Sequence, residues 1–212
     1  VILSQLIKEA WILTDSEEIA RATRPWCVNT LMTSDQCPSG TARIASVIDK
    51  LEADIVVNVQ GDEPLITPSV IDAMVIGLQN STADVVTPVY RINSMEEVLD
   101  PNINKVTRAN DGTALYFSRS PIPFVRDVDR TDWLSEVNFW GHVGVYGFRR
   151  HVLETYSQLP EGQLEKAEKL EQLRLLESGL QIMTVEIGYR PRGVDVPSDL
   201  DYVSGRLDPT QY

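Results

Sequence analysis

Apolar and polar positions along the chain fall into short β-branched runs separated by amphipathic stretches. Ile55 to Val59 is a run of the kind that forms a strand buried on both faces. Trp11 to Thr14, Ala83 to Pro88 and Leu180 to Ile187 read as further strands. Between them the period lengthens to that of a helix. Such stretches run from Glu17 to about Arg24 after Ser16 as N-cap, from about Thr41 to Leu51, and from about Pro68 to Leu78 after Thr67. This β-α-β-α rhythm predicts a parallel sheet with right-handed crossovers.

The middle of the chain breaks the rhythm. Asn104 to Arg108 and Ala114 to Ser118 read as two strands joined by the turn Asn110-Asp111-Gly112, an antiparallel hairpin inserted into or beside the main sheet. Residues 121–138 have little periodicity and read as a surface loop. Gly141 to Phe148 is expected to be a strand, and Arg150 to Leu159 a helix. From Leu164 to Ser178 an apolar stripe that includes Leu170 and Leu173 predicts one long helix, stopped at Gly179. Val194 to Pro197 leads to a final helix capped by Ser198. The expectation is an α/β fold with a mostly parallel central sheet flanked by helices. Residues 1–212 then form a single domain, with the hairpin and loop as a subregion at about 104–148.

Composition limits the function. A hydrophobic share of 42% is enough for a sizeable core, and no run is long and apolar enough to cross a bilayer or resembles a signal peptide. The net charge of −12 argues against a nucleic-acid backbone as partner, and an anionic ligand would need local arginines or a metal ion. Cys27 and Cys37 form neither a CxxC pair nor a zinc pattern, so a reduced, cytoplasmic protein is the simplest reading. Only two histidines exclude a histidine-rich metal site.

Several segments carry candidate chemistry beside a plainer reading. The run from Ile55 stops on Gln60-Gly61-Asp62-Glu63, which is either a place for a metal and a nucleotide at a strand's carboxyl end or an acidic turn before Pro68. Ser39-Gly40-Thr41-Ala42-Arg43 opens a helix and suits an anion or a base edge, or is a simple cap. Asp62 and Asp195 both follow apolar strands. Side by side they would make an oxygen-rich magnesium site, although a lone Asp195 also reads as a turn residue. Arg119 ends a strand and suits capture of a carboxylate. His142 and Tyr146 lie four apart on one strand, so they share a face that is either a binding wall or half-buried core. Glu165, Glu168 and Glu171 recur every three residues, the pattern of a solvated face.

Taken together, these segments resemble the 3-deoxy-manno-octulosonate (Kdo) cytidylyltransferases. The resemblance is carried, in the family's order, by Met32-Thr33 with Ser39 to Arg43, Asn58 to Pro64, Ala114 to Arg119, His142 to Tyr146, Leu170-Glu171-Gln172-Leu173-Arg174, and Gly193-Val194-Asp195. It implies a Rossmann-like nucleotidyltransferase that converts CTP and Kdo to CMP-Kdo and pyrophosphate for lipopolysaccharide synthesis. It further implies Mg2+ on the catalytic ligands Asp62 and Asp195, and cytidine contacts from Ser39, Gly40, Arg43 and Gln60. Arg119 would hold the Kdo carboxylate, and His142, Tyr146, Glu171 and Gln172 the sugar hydroxyls. A homodimer through the hairpin and the segment around residues 121–140 is also implied. Two departures stand out. The family's first strand and its triphosphate loop, I-P-A-R-x-x-S-x-R-x-P-G-K, have no match before Trp11, where Lys8 is the only basic residue. A segment is therefore expected to be missing from the sequence, and the intact protein to weigh more than 23.8 kDa. Cys37 stands where many family members carry His. Two alternatives stay open: CTP-dependent activation of an amino-Kdo or a sialic acid, or a catalytically silent nucleotide-binding protein on the same fold.

Overall fold

The computed structural model describes residues 3–26, 28–194 and 196–206. Among these the strands are β1 (Trp11–Thr14), β2 (Asn29–Met32), β3 (Ile55–Asn58), β4 (Val85–Arg91), β5 (Lys105–Arg108), β6 (Ala114–Ser118), β7 (Trp140–His142), β8 (Tyr146–Arg149) and β9 (Ile182–Ile187). The helices are α1 (Glu17–Thr23), α2 (Gly40–Ala45), α3 (Pro68–Gln79), α4 (Met95–Leu99), α5 (Trp133–Glu136), α6 (Arg150–Thr155), α7 (Gln163–Glu168), α8 (Gln172–Glu177) and α9 (Pro197–Ser204).

The sheet departs from the expected mostly parallel one. β1 and β2 form a separate parallel pair, and β2 itself was not anticipated. The main sheet has seven strands in the order β3-β8-β4-β7-β5-β6, with β9 on the other edge of β4. Only the β4–β9 ladder is parallel there; β3–β8, β8–β4, β4–β7, β7–β5 and β5–β6 are antiparallel. The β-α-β unit from β3 through α3 to β4 does form, and its strands run the same way. The later strand β8 returns between them, however, so neighbours in sequence are not neighbours in the sheet. The hairpin β5–β6 has the expected antiparallel pairing, but it extends the main sheet.

Side-chain alternation along β4 divides the core into two layers. Val86 and Tyr90 face Ile71, Met74 and Leu78 of α3, together with Trp133 and Phe139. Val85 and Val89 face the opposite layer, with Phe117, Tyr146, Phe148, Val152 of α6 and Leu173 of α8. The loop expected at residues 121–138 supplies part of the first layer, because Trp133 of α5 is buried and stacks on Phe139 at 5.9 Å.

Two breaks in regular structure matter for the site. The strand expected over Gly141 to Phe148 is interrupted at residues 143–145, opposite Thr87-Pro88 of β4. Proline has no N–H for the ladder. The facing strand lifts away there, and the Thr87 hydroxyl lies 3.0 Å from Val143 O and 2.8 Å from Val145 O. The long helix expected over Leu164 to Ser178 is likewise two helices. α7 ends at Lys169, whose backbone is left-handed at φ 55°, and α8 starts afresh at Gln172. The freed carbonyls of Glu168 and Lys169 accept from the Arg119 guanidinium at 2.7 and 3.4 Å. At the last helix the cap is Val196, whose N–H donates to the Asp199 carboxylate at 3.1 Å; Ser198 lies inside the helix. The helix expected over Thr41 to Leu51 stops at Ala45 and resumes as a 3-10 turn over Ile48–Lys50.

A left-handed residue with a Cβ costs about 1 kcal/mol. Lys169→Gly is therefore expected to raise stability by about 0.5–1 kcal/mol, and Lys169→Val to lower it by a similar amount or more. Urea unfolding midpoints at constant slope would measure both.

Candidate active site

The carboxyl end of β3 meets the start of α2. Ser39 caps α2 by accepting from Ala42 N–H at 3.2 Å. Gly40 leaves room for the Gln60 side chain: a Cβ there would sit 2.5 Å from Gln60 Nε2. Gln60 in turn donates to Asn58 Oδ1 at 3.2 Å. Arg43 donates to Thr33 Oγ1 at 2.5 Å, Ser34 O at 3.2 Å and Asp15 Oδ2 at 3.1 Å. That hydrogen bond from Arg43 holds the Asp15 carboxyl below its usual range. Gly40, Arg43, Asn58, Gln60 and Gly61 thus line one end of a groove of about 700 Å³. Ser39 joins them as the cap, so the four expected nucleotide contacts lie together. Cys37 is partly buried, with its thiol 3.9 Å from the Ser46 hydroxyl.

Asp62 is exposed in the turn after β3. Its carbonyl accepts from Val194 N–H at 2.8 Å, and a Cβ on Gly193 would lie 3.2 Å from the same oxygen. The chain leading to Asp195 is therefore tied to Asp62; Asp195 itself lies outside the described residues. Among the described residues no three His, Cys, Asp or Glu side chains cluster to hold a metal. The Asp62 carboxylate, exposed at a strand's carboxyl end, is a hard oxygen donor of the kind a divalent ion takes.

A second polar group centres on Tyr146, paired across the strands with Asn58. His142 and Tyr146 lie on two strands rather than one, yet the break brings their rings to 5.4 Å, and Phe117 meets His142 edge-on at 5.0 Å. Tyr146 donates to Gln172 Oε1 at 3.1 Å. Three nitrogens here are buried without a hydrogen-bond partner: Asn58 Nδ2, His142 Nδ1 and Gln172 Nε2. Each such group costs about 1–3 kcal/mol, and native structures hold few of them. Their grouping around one tyrosine marks a surface prepared for a polar ligand.

The break between α7 and α8 overturns the solvated glutamate face. Glu165 takes two 2.8 Å bonds from Arg174, Glu168 accepts from Ser118 Oγ at 2.6 Å and Arg119 N at 2.9 Å, and Glu171 accepts from Tyr156 Oη at 3.0 Å. Burial first, then the Glu171 carboxylate, pushes the Tyr156 phenol well above its ordinary value, so it remains a neutral donor. The Ser39 hydroxyl acts on the same phenol. Tyr156 therefore joins the Ser39 side of the site to the Glu171 side.

Arg119 is held at the far end. Besides Glu168 O and Lys169 O it donates to Pro101 O at 3.1 Å, and among the described residues no carboxylate forms an ion pair with its guanidinium. The wholly buried Lys105 fastens the same turn, donating to Asp100 O at 2.7 Å and Ile103 O at 2.6 Å. Burial lowers its pKa from the ordinary lysine value. Sequence reading missed Asn58, Thr87, Lys105 and Tyr156. A proline inside an apolar run, after Thr87, was the one signal available for any of them.

A Rossmann-like layering with a polar groove at a strand's carboxyl end and an arginine-flanked polar wall beside it defines a nucleotidyltransferase. The cytidylyltransferase family model matches residues 1–182. A 3-deoxy-manno-octulosonate cytidylyltransferase of Geobacter sulfurreducens is 42% identical over 212 residues, covering 96% of this chain and 84% of the relative. One from Escherichia coli is 40% identical over 197 residues, covering 93% and 78%. Among solved structures, a CMP:2-keto-3-deoxy-manno-octonic acid synthetase complexed with CTP superposes with a TM-score of 0.90 at 37% identity, covering 97% of this chain and 85% of that one. The chain belongs to the 3-deoxy-manno-octulosonate cytidylyltransferase family.

Burial drives the His142 pKa from 6.5 down to about 3. The folded state keeps this ring neutral while the unfolded chain protonates it below its ordinary value. Stability is therefore lost as pH falls from 6.5 toward 3. The slope from this residue is about 1.4 kcal/mol per pH unit. Denaturation of the wild type and His142→Asn at pH 7 and at about pH 5 is expected to show a smaller pH loss in the variant.

Proposed function

We infer that the protein transfers CMP from CTP to Kdo, releasing pyrophosphate. The observation that carries this reading is a continuous run of contacts, Gly40 against Gln60, Gln60 to Asn58, Asn58 opposite Tyr146 and Tyr146 to Gln172, with unpartnered polar atoms along it. Ser39, Gly40, Arg43 and Gln60 form its cytidine side. His142, Tyr146, Glu171 and Gln172 form its sugar side, and Arg119 faces the sugar carboxylate.

The reaction asks for two anionic substrates in line. The anomeric hydroxyl oxygen forms a bond to the α-phosphorus and gives its proton to solvent, the bond from that phosphorus to the bridging oxygen breaks, and pyrophosphate leaves. Little covalent chemistry falls to the protein, so orientation carries much of the acceleration. Asp62 and Asp195 would hold Mg2+. When bound, the ion neutralises charge on the phosphoryl oxygens. His142, kept neutral by burial, and Gln172 orient hydroxyls, while the Tyr156 bond fixes one oxygen of Glu171 and leaves the other for the sugar.

The same reading includes a cytoplasmic enzyme supplying lipopolysaccharide synthesis. It also includes a homodimer, supported by the exposure of Leu115 at 62% and Phe124 at 72% on the hairpin and the following segment. Among the described residues no helix is long and apolar enough to cross a membrane.

Pyrophosphate release with CTP, Mg2+ and Kdo tests the function, with an amino-Kdo and a sialic acid run in parallel. Turnover is expected with Kdo; none with any of the three sugars would sink the enzyme reading. Asp62→Ala is expected to lower kcat by at least about 100-fold with the unfolding midpoint unchanged, since the carboxylate is exposed. Arg119→Ala is expected to raise the KM for Kdo by about 10–100-fold. An effect confined to the CTP dependence would reassign Arg119.

A further inference from the structure

Thr87 lies on β4, wholly buried, and no part of the proposed reaction uses it. Its hydroxyl has three neighbours: Val143 O at 3.0 Å, Val145 O at 2.8 Å and His142 Nε2 at 2.9 Å. A hydroxyl owns one hydrogen and carbonyl oxygens can only accept; Val143 O is already served by Val145 N–H at 2.7 Å, so that hydrogen goes to the nearer Val145 O. The remaining neighbour must then donate to the oxygen. His142 consequently carries its proton on Nε2. Its Nδ1, buried and without a partner, is a bare lone pair. A doubly protonated ring would place a charge and an unmatched N–H in the same apolar layer, against Phe117, and burial keeps the ring neutral.

We propose that Thr87 is a positioning residue that locks His142 as the Nε2–H tautomer, so that His142 meets the sugar acid only as a hydrogen-bond acceptor at Nδ1. The inference rests on the sugar-side assignment of His142. It adds a polarity to that side. Gln172 Oε1 is occupied by the Tyr146 hydroxyl, which leaves Gln172 Nε2 a donor. Around Tyr146 the unpartnered nitrogens are therefore one acceptor, His142 Nδ1, and two donors, Gln172 Nε2 and Asn58 Nδ2; His142 and Gln172 together suit two sugar hydroxyls, one donating and one accepting. The lock comes from Pro88: the strand opposite it lifts off, and the loosened Val145 carbonyl claims the Thr87 hydrogen.

The chain has two histidines, so ¹⁵N spectra of histidine-labelled protein can be assigned with a His151→Gln control. In the wild type His142 is expected to show an unprotonated Nδ1 and a protonated Nε2 throughout about pH 5–8. A protonated Nδ1 would overturn the proposal. Thr87→Val keeps the shape and removes the hydroxyl. It is expected to lose the single tautomer and to raise the KM for Kdo about 10-fold, with kcat and the KM for CTP within about twofold. Thr87→Ser is expected to retain both the tautomer and the KM. A Thr87→Val protein with wild-type tautomer and KM, or a Thr87→Ser protein that behaves like it, would refute the lock. If His142→Phe leaves the KM for Kdo unchanged, the sugar-side assignment falls, whereas the spectra still decide the tautomer by themselves.

Discussion

A proline in the middle of a central strand cannot donate to its neighbour, and the site's architecture follows from how that gap is filled. Pro88 still accepts from Val143 N–H at 3.1 Å, and Val143 O takes Val145 N–H at 2.7 Å in a tight local turn in place of a ladder bond. The Thr87 hydroxyl reaches Val145 O at 2.8 Å, and the strand opposite divides into β7 and β8. Had it remained continuous, His142 and Tyr146 would project side by side as a flat row. The break instead tilts their rings to 41° and turns one toward Phe117, the other toward Gln172. One missing N–H thus becomes a buried polar surface inside an apolar layer.

That surface is expensive. Three unpartnered nitrogens cost several kcal/mol together, against a net stability of about 5–15 kcal/mol for a typical domain. The expense is borne by the surrounding layers, where Val85, Val89, Phe117, Phe148 and Leu173 are buried almost completely. The same trade explains why Lys105 and Arg119 converge on one turn. Carbonyls of residues 100 and 103 accept from Lys105 and that of residue 101 from Arg119, so backbone oxygens hold both cations to the turn.

Local chemistry made much of this legible in the sequence. Ser39 and Ser16 act as the caps their positions predict, and the hairpin around Gly112 forms with its glycine at φ 89°. Ser39, Gly40, Arg43 and Gln60 also lie together, because they sit at the end of one strand and the start of one helix close in sequence. The misreadings share a cause: partners far along the chain. Nothing near Lys169 signals a break, since the carbonyls it frees are satisfied by Arg119, fifty residues upstream. The parallel-sheet expectation failed because β8 inserts between β3 and β4, which no local period encodes. The glutamate spacing looked solvated for the same reason. Its partners, Ser118, Tyr156 and Arg174, become neighbours only in the folded chain.

A chain with a net charge of −12 repels anions at long range, and at physiological salt that field fades beyond about 8 Å. Attraction must therefore be local, and the two ends of the site differ in what they provide. Arg43 spends its charge on Asp15 at 3.1 Å, so the nucleotide end offers shape and hydrogen bonds but little net positive charge. Arg119 is gripped by carbonyl dipoles, which orient a guanidinium without neutralising it. Under the proposed reading the sugar acid then meets protein charge directly, whereas the triphosphate must be balanced by a bound metal or by residues beyond those described. The exposed Asp62 fits that division, because a lone carboxylate beside phosphates repels them until a divalent ion bridges the two.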